Sequence, residues 1–342
     1  MSTPERNGIV TGGTWCVDSN KLVEFWPQED GLAEILSEES RGGGSGCNLA
    51  IDVKRLDPAF WVETIGLIGD DEDGRLLQAE ADRYGIERRQ LVTTAQAPTA
   101  HSDAFCSKLT GRRTHIYRTG AGALLTPDHF DFTTTRGRIL HLGLPGVHPR
   151  MDAPWGADAN GWITVLRKAR QAGLVTNLEL ASVTAARLAE LVRPLLPYLD
   201  LFIVNDSEMG AIGGEATVSA GRTDVEACIR AAKATLSASA CGVVVAHFPT
   251  GAVAVTRSGE VVTQPSVRVP KTEVAGANGA GDAFAAGFLY AFHQGWALKE
   301  ALALAHAAAA ASLRSINTTD AVPTWRECLD LARQWGWNDP IA

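Results

Sequence analysis

The sequence lacks the features that define several classes of protein. Its six cysteines lie far apart and no Cys-x-x-Cys pair occurs, so neither a zinc site nor a disulfide framework is indicated and we expect reduced, buried thiols. No apolar run approaches the roughly 20 residues needed to cross a bilayer. The first residues, MSTPERNGIV, lack the basic-then-apolar pattern of a secretory signal. These absences predict a cytoplasmic protein without a membrane partner.

An excess of positive charge is also absent. The chain has 31 Lys and Arg against 39 Asp and Glu, a net charge of −8. This balance argues against nucleic acid or an anionic membrane as the main partner, and leaves room for a local basic pocket that binds an anionic ligand. The 45% of hydrophobic residues is ordinary for a chain with a sizeable core.

Apolar stretches that read as buried strands alternate with amphipathic stretches that read as helices. The strand-like stretches are VETIGLIG (62–69), RILHLG (138–143), LVTNLEL (174–180), LFIVND (201–206) and GVVVAHF (242–248). This alternation predicts an α/β fold with a mostly parallel sheet and helices on both faces. Ligands of such sheets bind at the carboxyl ends of the strands.

Between residues 94 and 117 the pattern changes to two half-polar strands around a Gly-Arg-Arg turn, which predicts a β-hairpin. Together with KLVEFW (21–26), the hairpin could form a small sheet that covers a site. Neither a fixed-period repeat nor a low-complexity linker is present. We therefore expect a single domain, 1–342, with a lid formed by strands inserted at about 19–40 and 94–119.

A glycine-rich segment, GANGAGDAF (276–284), precedes a predicted helix and ends in a carboxylate, Asp282. Apolar residues follow at helical spacing, and Gly295 ends the helix. Glycines leave the first N–H groups of the helix open, and the helix dipole favours an anion such as a phosphoryl group there. A carboxylate at that place could accept the proton of an attacking hydroxyl. The alternative is a helix-capping role for Asp282.

The two usual nucleotide-binding loops are not indicated. No G-x-x-x-x-G-K-[ST] sequence occurs, and a dinucleotide fingerprint is expected early in a βαβ unit rather than near the C-terminus. A dinucleotide-dependent oxidoreductase therefore remains an alternative that rests only on the α/β alternation and the glycines.

Four segments, in order, resemble signatures of the ribokinase-like (PfkB) carbohydrate kinases. They are GGGSGCNLA (42–50), TIGLIGDDEDGRLL (64–77), NDSE (205–208) and GANGAGDAFAAGFL (276–289). The resemblance spans residues 9 to 325. It implies a three-layer α/β/α ribokinase-like domain with a small β-sheet lid, and transfer of the ATP γ-phosphoryl group to a hydroxymethyl group.

The resemblance also implies roles for individual residues. Asp282 would be the catalytic base, beside an anion hole formed by the backbone of Gly279, Ala280 and Gly281. The nucleotide side would include Asn205, Glu208, Gly251 and His306, with Glu208 reaching Mg²⁺ through water. The acceptor would be bound by Asp18, which closes the first predicted strand GIVTGGTWCVD, and by Gly43, Gly44 and Asn48.

Three segments depart from the family pattern. Gly276 replaces an acidic residue, so the resemblance does not establish a monovalent-cation site. Phe248 and Pro249 in AHFPTG are expected to reshape the nucleotide pocket. Glu179 stands where the family has arginine, so one phosphate-side or substrate-side contact is expected to be absent. None of these departures is expected to touch the proton-transfer step.

The acceptor is left open between two classes. The three glycines before Asn48 favour a small sugar, whereas Asn278 is reminiscent of the adenosine kinases, which makes a nucleoside the alternative. A nucleotide- or sugar-binding protein with little catalysis is a further alternative. Exposed edges of the lid strands predict a homodimer through the lid.

Overall fold

A computed structural model describes residues 6–341 of the protein; residues 1–5 and 342 of the predicted domain lie outside the described residues. The strands are β1 (Ile9–Gly13), β2 (Cys16–Val23), β3 (Ile35–Gly43), β4 (Val62–Gly69), β5 (Glu87–Thr94), β6 (Ala100–Ser107), β7 (Arg113–Arg118), β8 (Ile139–Gly143), β9 (Val175–Leu178), β10 (Leu201–Asn205), β11 (Val218–Ser219), β12 (Arg222–Thr223), β13 (Val243–Phe248), β14 (Gly251–Thr256) and β15 (Val261–Pro265). The helices are α1 (Ser45–Leu56), α2 (Glu72–Arg83), α3 (Pro149–Asp152), α4 (Gly161–Gln171), α5 (Ala185–Val192), α6 (Asp206–Gly213), α7 (Val225–Ala238), α8 (Ala280–His293), α9 (Leu298–Ser312) and α10 (Trp325–Trp335).

The central sheet is mostly parallel, which confirms the predicted fold class. Strands β5, β4, β1, β8 and β9 lie side by side in this order and all pair in parallel. The backbone N–H of Asp200, just before β10, donates to the carbonyl of Thr176 in β9. Beyond β10 the order continues with β13, β14 and β15, of which the last two are antiparallel to their neighbours.

Alternating strand residues face two separate apolar layers, as the two-residue period of a strand requires. Ile9 packs into a cluster with α1, α2, α8, α9 and α10, whereas the next residue, Val10, packs into a cluster with α4, α5, α6 and α7. The sheet is therefore covered by helices on both faces.

The first predicted strand is interrupted, and this corrects the placement of Asp18. β1 ends at Gly13, whose φ of 118° favours glycine and turns the chain out of the central sheet. Only Thr14 and Trp15 separate it from β2, and both side chains are bonded to the core: Thr14 Oγ1 lies 2.7 Å from His148 Nε2, and Trp15 Nε1 donates to Thr64 Oγ1 at 2.7 Å. Asp18 lies within β2 rather than at the end of a central strand.

The predicted lid strands form a four-stranded sheet in the order β3, β2, β6, β7. The predicted hairpin is β6 and β7, which pair antiparallel. The first lid segment begins at Cys16 and extends to Gly43, a few residues beyond the predicted limits at each end. All six cysteines are free thiols; five are buried as expected, whereas Cys106 on β6 is partly exposed. Within residues 6–341, every helix is too short or too polar to cross a membrane.

The helix that carries Asp282 is placed by close packing against its neighbour. Helix α8 is buried from Ala283 to Ala291, and it packs against the backbone of α9 at Gly287. A Cβ atom at Gly287 would lie 2.9 Å from the Cα of Ala305 and 2.9 Å from the carbonyl oxygen of Leu304. Both are backbone atoms, so the helices would have to separate to accept a side chain.

Gly287→Ala is therefore expected to lower the free energy of unfolding by about 1–3 kcal/mol, although alanine is the better helix former. Gly242→Ala is the matched control, because the nearest atom to a Cβ there is 3.9 Å away, and its change should stay within about 0.5 kcal/mol. Urea denaturation of both variants measures the difference. An unchanged or more stable Gly287→Ala would show that this close approach does not hold α8 in place.

Candidate active site

Asp282 lies in the first turn of α8, at the floor of a cleft. Its carboxyl oxygen Oδ2 accepts a hydrogen bond from Nδ2 of Asn48, on α1, at 2.9 Å. The two residues are 234 positions apart in the chain, so the fold brings together two side chains that the sequence analysis assigned separately. Burial raises the pKa of Asp282 well above its ordinary value, and the neighbouring Glu179 raises it further.

The backbone before Asp282 takes the form expected for an anion site. Gly279 precedes α8 with φ of 73°, and a Cβ there would lie 2.5 Å from the carbonyl oxygen of Thr318. Only glycine meets both conditions. Gly281 is exposed, and an added Cβ would have no atom closer than 3.7 Å. The first N–H groups of the helix therefore face open space, where an anion can approach.

Glu179 contacts the carboxyl group of Asp282, and this corrects one expectation from the sequence. The departures from the family pattern were expected to avoid the proton-transfer step, yet Glu179 and Asp282 line the same cleft and Glu179 raises the pKa of Asp282. Burial raises the pKa of Glu179 to about 7. Its Oε2 lies 2.7 Å from Nε2 of His141 on β8, so His141 has a carboxylate partner that sequence spacing did not reveal.

The acceptor-side residues Asp18, Gly43 and Asn48 lie next to this carboxyl pair. A Cβ at Gly43 would collide with the carboxylate of Asp18, so glycine is required for that side chain to occupy its place. Burial raises the pKa of Asp18 to about 6, and the Asp282 charge contributes. The Oδ1 atom of Asn48 is buried without a hydrogen-bond partner, so it is available to accept a hydrogen bond from a bound hydroxyl.

Gly44 is the residue before α1, with φ of 87°, and a Cβ there would lie 2.7 Å from the carbonyl oxygen of Thr14. Its role is to start the helix that carries Asn48.

A mostly apolar cavity of about 580 Å³ opens on the other side of the N-terminus of α8. It adjoins the cleft at Asp282 through shared lining residues, including Asn205, Ala280 and Gly281. Phe248 and Pro249 line it, so these two departures do shape the cavity. Its size and apolar walls suit the base of a nucleotide, with the phosphates directed at the helix N-terminus.

His306 lies in the wall of this cavity, beside Phe284, at 5.0 Å between ring centroids. Burial lowers its pKa to about 3, so the ring is neutral. The predicted nucleotide residue Gly251 is buried at the start of β14 and is not among the cavity-lining residues; its backbone raises the pKa of His306, in opposition to the effect of burial. His247, which the sequence analysis did not single out, stacks on Phe284 at 4.7 Å and lines the cavity too.

Asn205 and Glu208 bond to each other's backbone at the start of α6. The Asn205 side chain accepts from the N–H of Glu208 at 2.9 Å, and Glu208 Oε2 accepts from the N–H of Asn205 at 3.0 Å. This capping box gives both residues a structural role. They also border the cleft at Asp282, so they can face a ligand there.

Among residues 6–341 there is no group of three or more His, Cys, Asp or Glu side chains arranged to hold a metal ion. The carboxylates that border the cleft instead suit a divalent cation bound chiefly by phosphate oxygens and water, the usual mode for Mg²⁺ beside a nucleotide.

An apolar cavity that leads to a helix N-terminus and a partly buried carboxyl group, at the carboxyl ends of parallel strands, is the arrangement expected of an α/β phosphotransferase that acts on a small molecule. The family comparison agrees. The model of the pfkB family carbohydrate kinases matches residues 9–325, and the chain belongs to this family. The protein is thus a phosphotransferase with an alcohol group as acceptor.

Similar proteins differ in their acceptors. The chain is 26% identical to an adenosine kinase of Schizophyllum commune, with 88% of this chain and 91% of the relative covered. It is 26% identical to a 5-dehydro-2-deoxygluconokinase of Shouchella clausii, with 95% of each covered. A ribokinase of Arabidopsis thaliana, solved in complex with ribose and ATP, is similar in fold, with a TM-score of 0.76, 20% identity and 96% and 99% coverage.

One buried acid near the site was not found from the sequence. Asp52 lies on α1, one helical turn after Asn48, and neither of its carboxyl oxygens has a hydrogen-bond partner. Burial raises its pKa well above the ordinary value, Asp282 adds to this and Arg55 opposes it. The sequence gives no signal that Asp52 is buried, because an isolated Asp on an amphipathic helix does not show which face of the helix packs inward.

Asp52→Asn is expected to stabilise the protein in a pH-dependent way. The Asp52 carboxyl group keeps its proton to a higher pH in the folded protein than in the unfolded chain. Its contribution to the free energy of unfolding is therefore full below about pH 4 and is lost as pH rises toward its pKa in the folded protein. The substitution removes this loss and should raise the free energy of unfolding by more than about 1 kcal/mol at pH 8, and much less at pH 4.5.

Urea denaturation at the two pH values measures this effect. Asp82→Asn is the control, because Arg88 lowers the pKa of Asp82 and no gain at pH 8 is expected there. A gain for Asp52→Asn that is equal at both pH values would contradict an ionisable origin.

Proposed function

We propose that this protein transfers the γ-phosphoryl group of ATP to a hydroxymethyl group of a small sugar. The supporting observation is the position of Asp282 in the first turn of α8. It lies next to Asp18 and Asn48, the predicted acceptor-binding residues, and the apolar cavity adjoins the same helix end. A base and an anion-binding helix end therefore meet at one point.

In this proposal Asp282 accepts the proton of the attacking hydroxyl, whose oxygen then forms a bond to the γ-phosphorus while the bond to ADP breaks. The backbone N–H groups of Gly279, Ala280 and Gly281 stabilise the charge on the migrating group. Asp18 and Asn48 orient the acceptor through its other hydroxyl groups. Orientation matters because a correctly held pair of reactants loses much less entropy on reaching the transition state.

The nucleotide would occupy the apolar cavity, with its base near His306, His247 and Phe284. Mg²⁺ would be bound mainly by the ATP phosphates, with Glu208 reaching it through water and Asn205 nearby. When bound, the ion would offset the negative charge of the phosphates. Gly251 would act indirectly, by holding His306.

A nucleoside is the second candidate acceptor, which the likeness to an adenosine kinase favours. We also propose that residues 1–342 act as one catalytic domain, in the cytoplasm, where ATP is supplied.

The lid supports a proposed homodimer. Exposed apolar side chains lie on or beside its strands: Trp26, Ile35, Leu36, Leu109 and Ile116. Covering them with a second copy of the lid would remove this apolar surface from water.

Incubation with Mg-ATP and a panel of pentoses, hexoses, sugar acids and nucleosides should give ADP release that depends on one class of acceptor. A sugar-dependent signal supports the first candidate and a nucleoside-dependent signal the second. Ligand-induced thermal stabilisation without turnover across the panel would instead favour a binding protein with little catalysis.

Asp282→Asn should lower kcat by roughly a hundred- to ten-thousand-fold, because the general base acts mainly in the transition state. ATP affinity, measured by calorimetry, should stay within a few-fold. Asp70→Asn is a suitable control, because Asp70 is an exposed acid on the loop after β4. A mild effect of Asp282→Asn on kcat would assign Asp282 to helix capping.

A further inference from the structure

We propose that Glu179 is a positioning residue that sets the basicity of Asp282, by holding a negative charge against it. The inference rests on the proposed function, in which Asp282 is the base. It concerns a residue that stands where the family resemblance leads one to expect arginine, so it describes this chain rather than the family pattern.

Glu179 is held in place by a buried histidine. It directly follows β9, and its Oε2 lies 2.7 Å from Nε2 of the buried His141. Nδ1 of the same ring lies 2.9 Å from Nδ2 of Asn177, which is the register partner of His141 in the parallel pair β8 and β9. The amide nitrogen can only donate, so Nδ1 accepts and Nε2 carries the hydrogen. Glu179 therefore receives a hydrogen bond that favours its charged form.

The ring remains neutral while it does this. Burial lowers the pKa of His141 to about 4, and the Asp282 charge opposes this shift. His141 therefore supplies a fixed donor, which favours the charged form of Glu179, rather than a compensating positive charge.

Two carboxyl groups in contact cannot easily both be ionised. Because Glu179 is bonded by His141, the proton of the pair resides on Asp282, which donates it to Glu179. Asp282 then ionises only at a higher pH, and once ionised it is a stronger base. Asn48 works in the opposite direction, since its N–H donor favours the ionised form of Asp282.

The other ionisable groups that act on Asp282 and Glu179 do not provide a positive charge that would offset the charge of Glu179. Asp282 is also coupled to Asp18 and Cys16 on β2 and to Cys47 and Asp52 on α1, while Glu208 on α6 acts on Glu179. All of these are acidic groups or thiols, so they can only reinforce proton retention. Among the described residues, Glu179 lines the same cleft as Asp282 and is the acid that raises the pKa of Asp282 most, after burial itself.

The test is Glu179→Gln, which keeps the shape and can still accept from His141 while its amide donates to Asp282. The Glu179 side chain is 24% exposed, so the change does not bury a new unpaired group deep in the core. We expect the acidic limb of the kcat/KM profile against pH to move at least about one unit lower. The plateau at high pH should fall severalfold, because the base is weaker.

Glu190→Gln on the surface of α5 is the matched control, and its profile should coincide with that of the parent. Infrared difference spectra of the parent and Glu179→Gln at pH 8 provide a readout without turnover. The protonated-carboxyl signal of the Asp282–Glu179 pair should be lost in the variant.

The outcomes separate this proposal from the proposed function. If activity depends on Asp282 but the acidic limb of Glu179→Gln is unshifted or moves to higher pH, the role of Glu179 is overturned and the proposed function stands. An unchanged infrared signal in the folded variant also overturns the role of Glu179. Absence of turnover by the parent with every acceptor overturns the proposed function, and the infrared comparison then still decides whether Glu179 holds a proton on Asp282.

Discussion

The hydrogen bond from Asn48 to Asp282 is the contact on which the geometry of the site depends. It joins the N-terminal part of α1 to the first turn of α8, two helices on the same face of the central sheet. Each helix begins at a glycine with positive φ, Gly44 and Gly279, where a side chain would collide with neighbouring backbone. The position of the Asp282 carboxyl group thus depends on a glycine at the start of each of these two helices. It also depends on Gly287, which lets α8 pack closely against α9.

Around this contact the site is divided between two sheets. The central sheet provides Glu179, Asn205 and His247 at the carboxyl ends of its strands, whereas the lid sheet provides Asp18. In the proposed reaction, chemistry and phosphate binding would belong to the α/β layers, and recognition of the acceptor would depend partly on a separate β-sheet. This arrangement is consistent with similar proteins of the family acting on acceptors as different as adenosine and a deoxygluconate derivative.

The sequence predicted the parts of this structure that local patterns encode. The apolar strand at 62–69, the start of the helix before Asp282 and the hairpin between 94 and 117 each depend on residues close in the chain, and each is present. The position of Asp18 was wrong, because a run of residues that reads as one strand is broken by the conformation of Gly13. The proximity of Glu179 and Asp282 was missed because it brings the end of β9 next to the start of α8, and this placement is a property of the fold rather than of either segment. Asn205 and Glu208 fit both a capping box and a ligand contact, and their spacing alone cannot separate the two.

The short connection between β1 and β2 constrains how the lid can move. Thr14 and Trp15 are both bonded to side chains of the central layers, and the strand register places Gly43, Ala100 and Arg118 at the same end of the lid as Cys16, so all four lid strands join the central layers at the same end. Opening would then resemble a hinged flap with its axis next to Asp18. A bound acceptor would be admitted and released at the opposite end of the lid, at the segments 24–34 and 108–112, while Asp18 near the anchored end stays nearly stationary.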